Sequence, residues 1–175
     1  KIVLLDIGLK NIDNECFLQL NNPPNIPIPS LNDHKFSRGS CLIVAGENLI
    51  GASKLAYFSA SQSALRAGAG LCKLLVNIQD VDYFKSQILE EMLLAYKNYE
   101  DFISIIKKEK CNALIFGCGI DNNKKNKNIL TFLLKQNVDL VLDAVVFSLF
   151  QKNKNKLLHL LNKRTNKTIM TPHAG

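Results

Sequence analysis

From Cys41 onward, short apolar runs alternate with longer stretches in which apolar residues recur every three or four positions. The runs CLIVAG (Cys41–Gly46), LCKLLVN (Leu71–Asn77), EMLLAY (Glu91–Tyr96), NALIFG (Asn112–Gly117), DLVLDA (Asp139–Ala144) and TIM (Thr168–Met170) read as strands. Their near-continuous hydrophobicity is that of strands covered on both faces. Between them the spacing predicts helices over about Ala52 to Ala67, Asp101 to Lys110, Lys125 to Gln136 and Asn155 to Lys163. In the first helix Ala52, Ala56, Ala60 and Ala64 recur at spacing four, with Ser59 and Ser63 beside them. That small-residue stripe suits close packing on a sheet, and Leu55, Phe58 and Leu65 are expected to extend the contact. Gly68 is expected to close the helix in a left-handed conformation, and Gly70 to turn the chain into the next strand. This alternation with short connections predicts an α/β fold, a doubly wound and mainly parallel sheet with helices on both faces.

Upstream, Lys1–Ile7 reads as a short strand. A polar, proline-rich connection follows through Asn21, Asn22, Pro23 and Pro24 and again over Pro27–Ser30, which neither a central strand nor a helix tolerates. It is the expected linker, with the compact domain beginning near His34. The chain of 175 residues, 47% hydrophobic, is long enough to bury one core. No apolar run reaches the roughly 18 residues of a membrane span, and the acidic Asp6 comes too early for a signal peptide. The expectation is a soluble cytoplasmic protein whose sequence, lacking an initiator Met, starts inside a longer chain.

Cys16, Cys41, Cys72, Cys111 and Cys118 are scattered, with no Cys-x-x-Cys pair. That argues against a disulfide framework or zinc site and for a reducing compartment. His34, His159 and His173 are too dispersed for metal ligation, and no metal ligand is assigned. A net charge of +7 raises the question of nucleic acid. However, 19 lysines stand against 3 arginines and beside 19 asparagines, a bias that AT-rich codons explain. The lysines gather in loop-like stretches, Asn122–Asn128 and Gln151–Lys156, without interleaved aromatics for base stacking. Neither a nucleic-acid nor a membrane partner is expected.

In open parallel sheets the ligand lies beyond the carboxyl ends of the strands. Gly46, Gly117 to Gly119, Asp143 and Thr171 to His173 all fall there. The loop from Gly46 to Ala52 opens a helix, where backbone N–H groups can hold an anion, or is a plain strand-to-helix turn. It matches neither a Walker A loop nor Gly-x-Gly-x-x-Gly. Gly117-Cys118-Gly119 admits close approach of a ligand to the backbone, or serves a sharp turn. Asp143 either binds substrate or a metal-linked phosphate, or caps the next helix. His173 either meets a ligand or sits at the surface. His34, Lys35 and Arg38 offer cationic groups before the first core strand, or simply solvate it.

Taken in order, HKFSRGSCLIVAG, GASKLAYFSASQSALRAGAGL, LIFGCG, LVLDA and TPHAG resemble the ADP/ATP-dependent NAD(P)H-hydrate dehydratases of the ribokinase-like superfamily. The resemblance runs from about His34 to Gly175, and LRAGAGL with TPHAG is its most specific part. It implies a ribokinase-like fold, C-terminally truncated. Residues 34–175 would be the N-terminal portion of a dehydratase domain, and 1–33 a linker and remnant of a preceding NAD(P)H-hydrate epimerase domain. The implied reaction is a lyase reaction of metabolite repair. ADP or ATP, with Mg2+, phosphorylates the hydroxyl of the S-form of hydrated NADH or NADPH, and phosphate elimination restores the nicotinamide.

By position, Ala52, Gly119 and His173 match the family's hydrate-binding residues, and Asp143 matches the first Asp of its Asp-Ala-Asp-Ala-Leu-Asn motif. Departures accompany the match. Ala45-Gly46 stands for Gly-Gly, Gly117-Cys118-Gly119 for Gly-Pro-Gly, and Thr171-Pro172-His173-Ala174-Gly175 for Thr-Pro-His-Pro-Gly. Val145 and Ser148 replace the motif's second Asp and its Asn. The catalytic Asp of the family's Gly-x-Gly-Asp motif is expected beyond Gly175, so these residues alone are expected to be inactive. A homo-oligomer or a separately encoded C-terminal half is open. So are two other readings: a non-catalytic remnant or ligand-binding module, and a ribokinase-like kinase of a small alcohol such as a thiamin precursor. Gly119→Val is expected to block the hydrate while sparing the fold.

Overall fold

The carboxyl ends of six parallel strands form one edge of the molecule. The computed structural model describes residues 26, 28–47, 49–85 and 92–172. The strand expected at Lys1–Ile7, most of the proline-rich connection, and His173 lie outside them.

The elements are β1 (Ser40–Val44), α1 (Ile50–Arg66), β2 (Leu71–Asn77), α2 (Val81–Lys85), β3 (Met92–Tyr96), α3 (Tyr99–Glu109), β4 (Ala113–Phe116), α4 (Lys124–Leu133), β5 (Asp139–Asp143), α5 (Val145–Leu149), α6 (Lys154–Asn162) and β6 (Thr168–Thr171). Short 3-10 turns at Ile78–Asp80 and Gln151–Asn153 lead into α2 and α6. The sheet order is β3-β2-β1-β4-β5-β6, and every pairing is parallel. Central β1 pairs Ile43 with Leu74 on one side and with Ile115 on the other. Its apolar run is continuous because Leu42 and Ile43 are buried on opposite faces. α2 and α5 are too short to show a helical period, and sequence reading passes over both.

One face carries a core of Ile43, Leu74 and Val76 under Tyr57 of α1 and Phe84 of α2. The other face is roofed more broadly, although Met92 and Met170 on its outer strands stay exposed. Leu42, Leu114, Phe116 and Leu142 pack there beneath Phe102 of α3, Leu130 of α4, Leu149 of α5 and Leu160 of α6. On the first face the helices stop short of β5 and β6, leaving Val141 half-buried and Ile169 60% exposed.

α1 is turned relative to the expectation. Its buried residues are Ser53, Tyr57 and Ser61, while Leu55 and Phe58 are exposed. The alanine stripe meets the sheet only in part: Ala60 and Ala64 pack against the core of the first face. Ala52, Ala56 and Ala60 border the hollow above the uncovered half of it. Gly68 does take a positive φ, 106°, after the helix, and its carbonyl accepts from Arg38 Nε at 3.0 Å. That bond gives Arg38 a structural role at the amino edge of the sheet, away from the strand ends. Gly70 is needed for a close approach, since a Cβ there would lie 1.9 Å from the Lys35 carbonyl oxygen.

The Lys/Asn stretches begin helices; they are not plain loops. Asn98, Asn123 and Asn153 each cap a helix, accepting from the backbone N–H three residues on, at Asp101, Asn126 and Lys156. Asn123→Ala should therefore cost about 1 kcal/mol of stability, as losses of this cap type do. Asn122→Ala, one residue outside the cap, should cost only a few tenths. Denaturant-unfolding midpoints of the two variants check this, and equal midpoints would remove the cap from the account.

Candidate functional site

β2 and β3 lie to one side of β1, and β4, β5 and β6 to the other, so the chain reverses direction between β1 and β4. Connections diverge at such a point and leave a crevice at the carboxyl ends. Here the crevice is reduced to direct backbone contact. A Cβ on Gly46 would lie 1.8 Å from the Gly119 carbonyl oxygen, and one on Gly117 would lie 1.9 Å from that of Asp143. Glycine at both positions lets the ends of β1, β4 and β5 converge. Ser53, 1% exposed in the first turns of α1, ties the loops together. Its Oγ accepts from Gly46 N at 2.8 Å and donates toward the Cys118 carbonyl at 3.2 Å.

Beside this junction lies a hollow of about 560 Å3. Ala52, Ala56 and Ala60 of α1 form one wall, Ile115 and Val141 of the bare sheet form the floor, and Gly119, Asp143 and Thr171 form the rim. The Asp143 carboxylate accepts from Thr171 Oγ1 at 2.7 Å and from the Cys118 thiol at 3.1 Å. Asp143 does not cap the following helix: α5 has Ala144 at its N-cap and no side-chain cap bond. Ala144 itself holds φ 45°, ψ −104°. For a residue other than glycine such a conformation costs about 1–3 kcal/mol, and strain of this kind gathers at functional sites. α1, too, has at its N-cap a residue without a side-chain cap bond, Leu49.

A second charged centre sits at the same edge. Glu47, just after β1, accepts through Oε1 from Asn77 Nδ2 and Tyr96 OH at 3.1 Å each, and from Lys125 Nζ of α4. It thereby joins the ends of β1, β2 and β3 to the start of α4. Burial pushes its carboxyl up, but the bonds from Lys125, Asn77 and Tyr96 and the lysine charge outweigh this and hold it below its ordinary value. Burial and the Glu47 charge push the Tyr96 phenol well up.

Of the residues singled out in the sequence, the structure brings Ala52, Gly119 and Asp143 to one hollow. Gly46 serves the junction beneath it, and His173 lies outside the described residues. One expectation is overturned. A side chain at Gly119, where φ is 70°, would meet Ser53 Oγ at 2.2 Å and the Leu49 carbonyl at 2.7 Å, so Gly119→Val disrupts the junction itself. Sequence reading missed Ser53 and Glu47. The signal for Ser53 was its four-residue spacing to Tyr57 and Ser61 on one helix face. Nothing marked Glu47, because its partners come from three other elements.

A hollow of the same volume, about 560 Å3, lies around Arg164. Its guanidinium donates to the carbonyls of Leu134, Gln136 and Val138 and to Thr168 Oγ1, so it staples the end of α4 to β6. Among the described residues no helix is long and apolar enough to cross a membrane.

A sequence profile described as NAD(P)H-hydrate dehydratase matches residues 41–175. The chain belongs to the NAD(P)H-hydrate dehydratase family. Its fold is that of the ribokinase-like proteins. A ribokinase-like superfamily protein from Enterococcus faecalis superposes with a TM-score of 0.62 at 18% identity, covering 85% of this chain and 50% of that one. The ADP/ATP-dependent NAD(P)H-hydrate dehydratase of Bacillus subtilis, co-crystallised with ATP and Mg2+, gives 0.54 at 17% identity, over 83% of this chain and 47% of that one. A hypothetical protein from Streptococcus mutans gives 0.60 at 19% identity, over 85% and 51%. The chain thus spans about half the length of the solved structures it matches. Among curated proteins, none matches it in sequence.

Two outcomes follow for the dehydratase-family site. Ser53→Ala leaves the buried Gly46 N–H without its acceptor and should cost about 1–3 kcal/mol; thermal or denaturant unfolding measures it. Because the folded-state carboxyl of Glu47 is held low, its contribution is complete above about pH 4.5 and is lost as pH falls through the lower folded-state value. Glu47→Gln should therefore cost about 1–2 kcal/mol near neutral pH and flatten the acid limb of the stability curve. An acid limb identical to that of the unsubstituted chain would remove Glu47 from that role.

Proposed function

We propose that the hollow receives the hydrated nicotinamide of NADH or NADPH, as the substrate side of an ADP- or ATP-dependent dehydratase. The observation that carries this reading is convergence. Ala52, Gly119 and Asp143 come from three separate elements and resemble family positions one by one, and they border one hollow at the switch point. Its volume lies within the range of small-molecule sites, about 300–1,000 Å3. The apolar floor of Ile115 and Val141 suits one face of a reduced ring. Asp143 places a negative, acceptor-only group at the rim, where it can take a hydrogen bond from a substrate hydroxyl.

In the implied reaction the nucleotide's terminal phosphoryl group passes to the ring hydroxyl. Phosphate then leaves with the electron pair of the C–O bond as a ring proton is lost. The contribution assigned to these residues is binding and orientation. No residue is assigned to Mg2+: among the described residues no three of His, Cys, Asp or Glu gather, and such an ion is commonly held by one or two carboxylates together with the nucleotide's phosphates. A second reading, a module that binds the hydrate without turnover, draws support from Val145. This residue packs against the apolar core where the family pattern has an acid.

Ala52 provides the test, because it is exposed in the wall of the hollow and leucine is also a strong helix former. Ala52→Leu should weaken NADH-hydrate binding at least about tenfold in calorimetry, the worth of roughly 1.4 kcal/mol. The thermal midpoint should stay within a few degrees. A variant that binds as the parent does removes Ala52 from the site, and a parent chain without affinity for the hydrate sinks the reading.

A further inference from the structure

Cys118 is fixed on every side. The glycines flanking it take positive φ, 130° at Gly117 and 70° at Gly119, and its carbonyl accepts from Ser53. That backbone aims the half-buried side chain into the rim of the hollow, where Sγ lies 3.1 Å from Asp143 Oδ2. From the other neighbouring strand, Thr171 donates to Oδ1 at 2.7 Å. The carboxylate at the end of β5 is therefore gripped by donors from the loop after β4 and from β6, one on each oxygen.

A cysteine beside a ligand hollow invites a nucleophilic reading, and the surroundings oppose it. Burial, the hydrogen bond to Asp143 and the charge of that carboxylate push the thiol up to about 12. At neutral pH the sulfur therefore keeps its proton, which makes it a donor and a poor nucleophile. As a weak donor it adds little energy. What it supplies is direction, since a carboxylate held at both oxygens cannot swing about its side-chain torsions.

We propose that Cys118 is a positioning residue that, together with Thr171, clamps the Asp143 carboxylate in the orientation in which it meets the ligand's hydroxyl. The ligand part of this inference rests on the hollow being the hydrate site; the clamp itself does not.

Two measurements on the full chain separate these parts. In the first, iodoacetamide alkylation of Cys118 is followed at pH 8 to 9 by peptide mass spectrometry. Asp143→Asn removes the charge that keeps the thiol protonated, so the Cys118 rate should rise about tenfold or more, the effect of one unit in thiol ionisation. Cys72, 2% exposed within the sheet, serves as the control and should stay protected. An unchanged Cys118 rate with Cys72 protected overturns the clamp. In the second, NADH-hydrate affinity is compared for the parent, Cys118→Ser and Cys118→Ala. The serine variant keeps a donor and should bind within about threefold, while the alanine variant should lose about tenfold with its thermal midpoint unchanged. This arm also decides the matter if Asp143→Asn exposes Cys72 by unfolding. Alanine binding like the parent, or serine failing as alanine does, overturns the positioning role. A parent chain that binds no hydrate overturns the ligand part, and alkylation then decides the clamp alone.

Discussion

Everything at the carboxyl edge of the sheet depends on how closely three strands approach where the strand order reverses. With Gly46 against Gly119 and Gly117 against Asp143, the backbones touch at distances that admit no side chain. A side chain at either glycine would hold the loops open. Ser53 locks the closed arrangement by bonding to both loops from within α1. The hollow, the rim carboxylate and the position of Ala52 are consequences of that closure.

Charge is used sparingly at this edge. α4 begins with Lys124 and Lys125, which the positive end of a helix dipole disfavours, and Glu47 reaches across from the β1 loop to pair with Lys125. The same carboxylate draws in Asn77 and Tyr96, so one acid organises the side of the edge away from the hollow. On the hollow side the acid is Asp143, held by Thr171 and Cys118. The two carboxylates divide the labour: Glu47 secures the scaffold and Asp143 faces the hollow.

The two faces of the sheet differ in the same way. α3 to α6 roof most of one face, whereas α1 and α2 cover only part of the other. The uncovered strip of Ile115 and Val141 is apolar enough for core and open enough for a ligand. Membership in the dehydratase family and the ribokinase-like fold give that strip a chemical context. Val145 and Ser148, standing where the family pattern has an Asp and an Asn, lie away from that strip: Val145 packs against the core of the roofed face and Ser148 borders a separate hollow beside the start of α4.

The six core strands and four long helices were legible in the sequence, because burial on both faces makes strands apolar without interruption and amphipathic helices keep their period. The glycines at strand ends, the Asp143 position and the family resemblance were legible for the same reason: each is a local pattern. The facing of α1 was not. Alanine and serine differ too little in hydrophobicity to say which stripe meets the sheet, and the structure buried Ser53, Tyr57 and Ser61 while turning Ala52 and Ala56 to the hollow. The sequence could not show that Gly119 is hemmed in by Ser53 and Leu49, nor that Cys118 meets Asp143. Nor could it show that Glu47 gathers partners 30, 49 and 78 positions away. Contacts of that range exist only once the strand order is set, and strand order is a property of the packed sheet and of no single stretch of chain.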